Sequence, residues 1–250
     1  MPSVYLGLVF MILICLIALV AGFTQGLSGF GSVLVALPLL AMFLDLKIAV
    51  PLVSIWGMTI NTILLVQLRA HLRRHNILPL SMAAIPGIPL GVYLLKYADV
   101  RFLELLLGGL LVIFSWYFVW SGGKTRRLSN YWLYVAGFCS GCLGGSLAMS
   151  GPPVIIYTAL QPWDKDEIKS TLTGYFFLSG LIIIAAQTIS GLMTTAVVTG
   201  SLISLPFIIV GVLLGSSFYR RLETNRYRQV VVGLITLLGL LTVVKALGVR

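Results

Sequence analysis

Long apolar runs separated by short polar stretches dominate the chain. Ten runs can be distinguished, at residues 4–23, 29–44, 48–68, 77–95, 102–121, 131–147, 149–161, 170–190, 196–215 and 229–247. They are continuous and lack the alternation of membrane strands, and a helix needs about 20 apolar residues to cross a bilayer core. The pattern predicts an all-α membrane protein with about ten transmembrane or partly re-entrant helical segments. The short runs 29–44 and 149–161 are predicted to be tilted, broken or re-entrant.

Composition narrows the class of protein further. Of 250 residues, 59% are hydrophobic and only 10% are charged, whereas about 25% are charged in an ordinary soluble domain. This excludes a soluble enzyme and a disordered chain. The net charge is +10. The basic residues responsible for it lie in loops between apolar runs, which indicates membrane topology rather than nucleic-acid binding.

The loop charges predict the orientation of the segments. If all ten runs cross, one side receives Arg69, Arg73, Arg74, Lys124, Arg126, Arg127, Lys165, Lys169, Arg220, Arg221, Arg226 and Arg228. The other side receives Lys47, Lys96, Arg101, Lys245 and Arg250. The richer side is expected to be cytoplasmic. We therefore predict a multi-pass membrane protein with both termini outside the cytoplasm.

The two halves of the chain resemble each other in ordered patches. Identical residues recur 115 positions later for Gly22, Phe23, Gly26, Gly29 and Pro38, and 120 positions later for Pro86 and Gly91. A third patch pairs Arg101-Phe102 with Arg226-Tyr227. Such matches predict an internal duplication, with residues 1–121 as the first repeat, 122–130 as a cytoplasmic linker and 131–250 as the second. Each repeat holds five segments, and an odd number makes the repeats inverted, a common plan of secondary transporters.

Two glycine-rich stretches ending in proline, at residues 25–38 and 141–153, each join a long segment to a short one. Glycine and proline interrupt helices, and irregular backbone at membrane depth lines a cavity or is buried in protein. Helix N-termini there would form an anion site. The alternative is close helix packing through small residues such as Gly22 and Gly26.

The candidate substrate-binding residues belong to these stretches or are polar groups elsewhere in the spans. They are Gln25, Ser28, Gly29, Gly31, Ser32, Pro38, Asn61, Gly144, Gly145, Ser146, Ser150, Gly151, Pro152, Pro153, Tyr157 and Gln187. Acidic and basic residues fall at loops or segment ends, so the predicted anion site uses dipoles, amides and hydroxyls rather than a buried charge.

The duplicated Gly-x-x-x-Gly-x-x-Gly stretch with a following proline, in a chain of this length and hydrophobicity, resembles the TauE/SafE family of sulfite exporters and related anion permeases. The resemblance covers nearly the whole chain. It implies transport, often export, of sulfite, sulfonates or other small sulfur-containing organic anions across the bacterial inner membrane.

The remaining motifs indicate neither a catalytic site nor a metal site. Cys139 and Cys142 are expected to be packing residues, and His71 and His75 lie among arginines that would repel a metal. We therefore expect no catalytic residues, no metal and no cofactor. The expected partners are a small anionic substrate and the lipid bilayer, with no nucleic acid and a possible homo-oligomer. Two alternatives stay open: a transporter of a neutral solute or cation, and a non-transporting membrane scaffold or assembly factor.

Overall fold

The computed structural model describes residues 2–69, 72–120, 128–163 and 165–219, and the regular structure in these ranges is helical. Ten helices follow one another: α1 (Pro2–Ser28), α2 (Ser32–Ala41), α3 (Leu46–Gln67), α4 (Arg74–Ala84), α5 (Gly87–Tyr97), α6 (Val100–Trp120), α7 (Asn130–Leu147), α8 (Gly151–Leu160), α9 (Lys165–Ile189) and α10 (Thr195–Tyr219). The all-helical prediction is confirmed. The tenth predicted segment, His71 and Arg126 lie outside the described residues.

Four of these helices are long and apolar enough to cross a membrane, namely α1, α3, α9 and α10. The bent pair α4–α5 gives a fifth candidate span if it is counted as one. Helices α2 and α8 have ten residues each, about 15 Å at 1.5 Å per residue, or half of a bilayer core. The two runs predicted to be short are therefore short helices, each preceded by a break.

The fourth predicted segment is two helices rather than one. Helices α4 and α5 meet at an angle of 44° beside Pro86, whereas α10 continues through Pro206, the matching proline of the second half. The neighbouring residues explain the difference. Pro86 precedes Gly87, whose missing Cβ lets α5 begin against the backbone of α7 near Phe138 and Cys142, whereas Phe207 follows Pro206.

Two helix pairs make close backbone contact through glycines, and each pair joins one half of the chain to the other. Helix α1 packs against α10, where a Cβ on Gly22 would lie 2.6 Å from the Ile208 carbonyl oxygen. Helix α7 packs against α4 and α5, where Gly145 faces the Ile88 carbonyl oxygen and Val92. Larger side chains would separate these backbones, so the glycines are needed for packing.

Helices α3 and α9 pack against each other in the centre of the bundle. Helix α3 also contacts α10, and α9 also contacts α4 and α5. The fully buried Trp56 of α3 donates from Nε1 to Ser204 Oγ of α10 at 2.8 Å. The central pair is therefore held between the two glycine-mediated pairs.

The loops gather in two groups at opposite ends of α3. At one end, Lys47 Nζ donates to the Lys96 carbonyl oxygen at 3.0 Å, and Lys96 Nζ donates to the Ser190 carbonyl oxygen at 2.8 Å. At the other end, Arg73 Nε lies 3.5 Å from Glu167 Oε1. The first group contains bases of the smaller predicted charge group, and the second contains Arg73 of the larger one.

Candidate functional site

A cavity lies where the α1–α2 break and the α7–α8 break meet the central helices α3 and α9. It has about 620 Å³ of empty space, including its open mouth. Both breaks and both central helices contribute lining residues, which are Gln25, Phe30, Gly31, Ser32, Val33, Leu34, Val53, Ser54, Gly57, Met58, Asn61, Ala148, Met149, Ser150, Gly151, Pro152, Ile155, Phe176, Ser179, Gly180 and Ile183.

The α1–α2 break is built from glycines in left-handed backbone. Gly29 has φ of 81° and Gly31 has φ of 99°, values that cost an ordinary L-residue about 1–2 kcal/mol. Gly31 precedes the first residue of α2 and has no side chain to cap it. The first N–H groups of α2 have no partner within the helix, and their residues, 32–34, line the cavity.

A chain of buried side-chain hydrogen bonds holds this break against α3. Ser32 Oγ donates to Gln25 Oε1, and Gln25 Nε2 donates to Asn61 Oδ1 at 2.7 Å. All three side chains are buried and border the cavity. The chain therefore fixes α1, α2 and α3 relative to one another and places amide and hydroxyl groups beside the N-terminus of α2.

The α7–α8 break has different chemistry. Ala148 takes φ of 54°, the only non-glycine residue with positive φ in the described ranges, and Ser150 precedes α8 without a side-chain cap. The second and third residues of α8, Pro152 and Pro153, have no N–H. Because of these prolines, the first turn of α8 offers fewer donors to a ligand than the first turn of α2.

A second polar chain ties the α7–α8 break to α9. Ser140 Oγ donates to the Ser150 carbonyl oxygen, and Tyr175 OH donates to Ser140 Oγ at 2.6 Å. Tyr175 is fully buried. These bonds satisfy polar groups that would otherwise be costly at this depth.

The charge and polarity of the cavity lining suit a small anion. Its described lining contains no Asp, Glu, Lys or Arg, and its polar members are the side chains of Gln25, Ser32, Ser54, Asn61, Ser150 and Ser179. The positive end of the α2 dipole points to this space. Backbone N–H groups at a helix N-terminus with neutral donors around them form an anion-binding arrangement.

Comparison with known proteins gives the family. The sequence model of the sulfite exporter TauE/SafE family matches residues 14–242. The chain belongs to the TauE/SafE family. It is similar to a protein of Cupriavidus necator described as a probable sulfite/organosulfonate exporter TauE, at 24% identity over 181 residues covering 68% of each chain. No solved structure matches the chain.

TauE/SafE proteins are membrane transporters rather than enzymes. The predictions of the family, of an integral membrane protein and of a non-enzymatic transporter are thus confirmed. The cavity described above lies within the range that matches the family.

Seven of the sixteen predicted substrate-binding residues come together around the cavity of this TauE/SafE protein: Gln25, Gly31, Ser32, Asn61, Ser150, Gly151 and Pro152. They come from five different elements, namely α1, the first break, α2, α3 and the α8 N-terminus. Their proximity is a tertiary feature, because Asn61 and Ser150 are far apart in the chain.

The other nine predicted residues do not line the cavity. Ser28 Oγ donates to the Thr24 carbonyl oxygen at 2.8 Å, and Ser146 Oγ donates to the Cys142 carbonyl oxygen at 2.8 Å. Gly29 lies against Lys169, Gly144 against Ser150 and Ile183, and Gly145 against α5. The remaining four are Pro38 and Pro153 within α2 and α8, Tyr157, whose ring centroid lies 6.3 Å from that of Trp163, and Gln187, whose Nε2 donates to Ser54 Oγ at 3.1 Å.

The sequence analysis missed the cavity residues of α9 and most of those of α3. Phe176, Ser179, Gly180 and Ile183 follow the i, i+3, i+4, i+7 spacing of one helix face. Ser54, Gly57, Met58 and Asn61 have the same spacing on α3. Each set places small or polar residues on one helix face, and this pattern could have predicted that both central segments line a cavity.

Two charged residues that were expected at loops or segment ends do lie near helix ends, but they are buried. Lys169 and Glu104 are each only 7% exposed. Helix α9 begins at Lys165 rather than near Ser170, so Lys169 lies inside a helix that qualifies as a span. Charged groups are expensive inside a membrane and commonly mark functional sites.

Proposed function

We propose that this TauE/SafE protein exports a small sulfur-containing anion, sulfite or an organosulfonate, which binds in the cavity between the two breaks. The observation that carries the proposal is the uncapped N-terminus of α2, which opens on a cavity whose described lining has no carboxylate. A carboxylate would repel the anion, whereas N–H groups and a helix dipole stabilise it. The description of the Cupriavidus necator relative as a probable sulfite/organosulfonate exporter supports the same substrate class.

Reconstitution of the purified full chain in liposomes tests this function. We expect saturable flux of sulfite and of a simple sulfonate such as isethionate, with little flux of an uncharged analogue of similar size. Vesicles without protein and vesicles with an unrelated transporter give the background. Flux of the uncharged analogue equal to that of the anions would contradict an anion site, and absence of all flux would contradict transport.

We further propose that the two halves are inverted repeats. The support is reciprocal packing, in which the first helix of each half packs against the fourth segment of the other half. Gly22 faces Ile208 and Val212, and Gly145 faces Ile88 and Val92. Ile88 and Ile208 are 120 positions apart, as are Val92 and Val212 and also Pro86 and Pro206. Gly22 and Gly145 are 123 positions apart, whereas sequence matching pairs Gly22 with Gly137, 115 positions later. A duplicated, inverted unit would place a shared cavity between the two breaks.

The proposed orientation places the Arg73–Glu167 end in the cytoplasm of a bacterium, with both termini outside. An inside-negative potential then favours exit of an anion by about 2.3 kcal/mol per charge per 100 mV, more than a tenfold concentration ratio requires. We expect flux to follow a clamped potential at equal pH. Dependence on a proton or sodium gradient without dependence on potential would contradict uncoupled export. Labelling of single cysteines introduced at position 73 or 96 tests the orientation.

A further inference from the structure

Gly57, in the middle of α3, lines the cavity and faces open space. A Cβ added to Gly57 would meet no atom within 4 Å. Its backbone is helical and has no positive φ, so no turn requires a glycine at this position. Glycine is less favourable than alanine in the interior of a helix. The absence of a side chain at Gly57 therefore needs another explanation.

Close helix packing explains other helical glycines of the chain but not Gly57. A Cβ added to Gly91 would lie 2.1 Å from the Cys142 carbonyl oxygen, and one added to Gly211 would lie 2.3 Å from the Leu19 carbonyl oxygen. Such glycines let two backbones approach each other. No neighbouring helix occupies the space beside Gly57, which is left to the cavity.

The residue after Gly57 fills the corresponding space on the other central helix. A Cβ added to Gly180 of α9 would lie 3.6 Å from Met58 Sδ, an ordinary van der Waals distance, and both residues line the cavity. The Met58 side chain therefore extends from α3 over Gly180. Methionine is flexible and polarizable, and it adapts to apolar groups of different shapes. The cavity thus has an adaptable apolar side chain next to the open space at Gly57.

The open space lies one helical turn from the polar groups of the proposed anion site. Asn61 follows Gly57 by four residues, about 6 Å along α3 and on the same helix face. Asn61 Oδ1 accepts from Gln25 Nε2 at 2.7 Å, and Gln25 also bonds Ser32 at the start of α2. An anion held by these groups and the α2 N-terminus would have room beside Gly57 for a substituent.

The remaining lining residues of the central helices suit an apolar substituent. Val53, Phe176 and Ile183 contribute apolar side chains. The hydroxyls of Ser54 and Ser179 donate to carbonyl oxygens four residues earlier in their own helices, at 2.9 and 2.8 Å. A hydrocarbon group in this part of the cavity would leave water, which strengthens binding by about fourfold for each fully buried methylene.

We propose that Gly57 is the residue that admits the organic group of a sulfonate, with the charged group held at the α2 N-terminus and the hydrocarbon in the space beside Gly57. The assignment rests on the proposed function, because it concerns the same anion cavity. It makes the cavity fit an alkanesulfonate better than an anion without a hydrocarbon group, and it makes the side chain at position 57 the limit on substrate size.

Competition between sulfonates of different chain length tests this assignment. The full chain is reconstituted in liposomes, sulfite flux is measured, and methanesulfonate or butanesulfonate is added as an inhibitor. Both inhibitors carry one negative charge, so they differ only in three methylenes. For the wild type we expect butanesulfonate to inhibit about tenfold more strongly, which corresponds to about 1.4 kcal/mol. Three fully buried methylenes would give more, but the cavity has an open mouth.

Three variants separate an effect of cavity size from a general effect of losing a glycine. Gly57→Leu fills the open space, so the about tenfold preference for butanesulfonate should be lost. Gly57→Ala adds one methyl group and should reduce the preference to about threefold. Gly109→Leu is the matched control, since Gly109 is a helical glycine of α6 with no atom within 4 Å of an added Cβ but lies outside the cavity lining. Its preference should stay at about tenfold.

The ratio of the two inhibition constants is taken within each variant, so differences in folded yield cancel. Alanine favours a helix more than glycine does, so Gly57→Ala decides the question if the leucine variant does not fold or carries no sulfite. A ratio in Gly57→Ala equal to that of the wild type would overturn the proposal, as would equal inhibition of the wild type by both sulfonates. Sulfite flux in those cases would leave the proposed function intact, whereas a wild type that transports neither sulfite nor a sulfonate would refute it.

Discussion

The α1–α2 and α7–α8 breaks both interrupt the helical backbone beside the cavity, but they are built from different residues. At the α1–α2 break, Gly29 and Gly31 adopt positive φ, and α2 begins with three residues that carry N–H groups. At the α7–α8 break, Ala148 adopts positive φ, and two of the first three residues of α8 are prolines. Both breaks end a long helix beside one cavity and begin a half-length helix.

In the proposed anion site, the two breaks offer different numbers of hydrogen-bond donors. The first break has the N–H donors and the Gln25–Ser32–Asn61 chain of bonds, whereas the second contributes hydroxyl and apolar surface. The α1–α2 break thus forms a donor-rich wall of the cavity, and the α7–α8 break forms a donor-poor wall. The consequence is that substitutions in matching places should have unequal effects.

The largest expected effect comes from removing the polar centre of the donor-rich wall. Gln25→Leu leaves the Ser32 hydroxyl and the Asn61 amide without their partner, so sulfite flux per folded protein should fall about a hundredfold, or about 2.7 kcal/mol. Gln187→Leu is the matched control, since Gln187 is equally buried but lies outside the cavity lining. Its flux per folded protein should stay within about threefold. Equal losses in both variants would mean that Gln25 is only structural.

Replacing glycine by alanine at one break and alanine by glycine at the other, both at positions with positive φ, should change the free energy of unfolding in opposite directions. Gly31→Ala should lower the free energy of unfolding by about 1–2 kcal/mol, although space is available, since the nearest atom to the new Cβ is Thr24 Cγ2 at 3.4 Å. Ala148→Gly should raise it by up to about 1 kcal/mol, because strain is relieved while some chain entropy is lost. Thermal unfolding in detergent measures both. Destabilisation by Ala148→Gly would show that the alanine methyl group contributes more than the strain costs.

A donor can be added to the donor-poor wall. Pro152→Ala supplies a backbone N–H at the start of α8 beside the cavity, and the apparent substrate constant should fall about threefold, a gain in the range of a helix-terminus interaction. Pro153→Ala adds an N–H outside the lining and should change the constant little. An unchanged constant in Pro152→Ala would place the anion on the α2 side of the cavity only.

The smallest effect is expected from a hydroxyl of the same wall. Ser150→Ala should raise the apparent substrate constant about twofold, the lower range for one neutral hydrogen bond. Ser146→Ala is the control, because its hydroxyl already donates to the Cys142 carbonyl oxygen within α7. If the two variants behave alike in transport assays, Ser150 does not bind the anion.

Local features of the sequence predicted much of this arrangement. The glycine and proline clusters indicated both breaks and both half-length helices, since these residues act on the backbone where they stand. The same clusters gave most of the seven predicted residues that line the cavity. Ser28 and Ser146 were predicted as ligands on proximity to the breaks alone, and the structure shows both hydroxyls bonded to carbonyls of their own helices.

The duplicated glycine motif was enough to predict the family. Hydrophobic run lengths and local backbone preferences were enough to predict the helical class and the positions of the breaks, because they are properties of short segments. Three features depend on how the helices pack in three dimensions: which residues share the cavity, the bend at Pro86 but not at Pro206, and the burial of Lys169 against Gly29. These outcomes depend on which helix packs on which. Lys169 precedes a predicted segment and was therefore assigned to a loop. Its burial depends on contact with Gly29 in the distant α1–α2 break, and no local pattern predicts that contact.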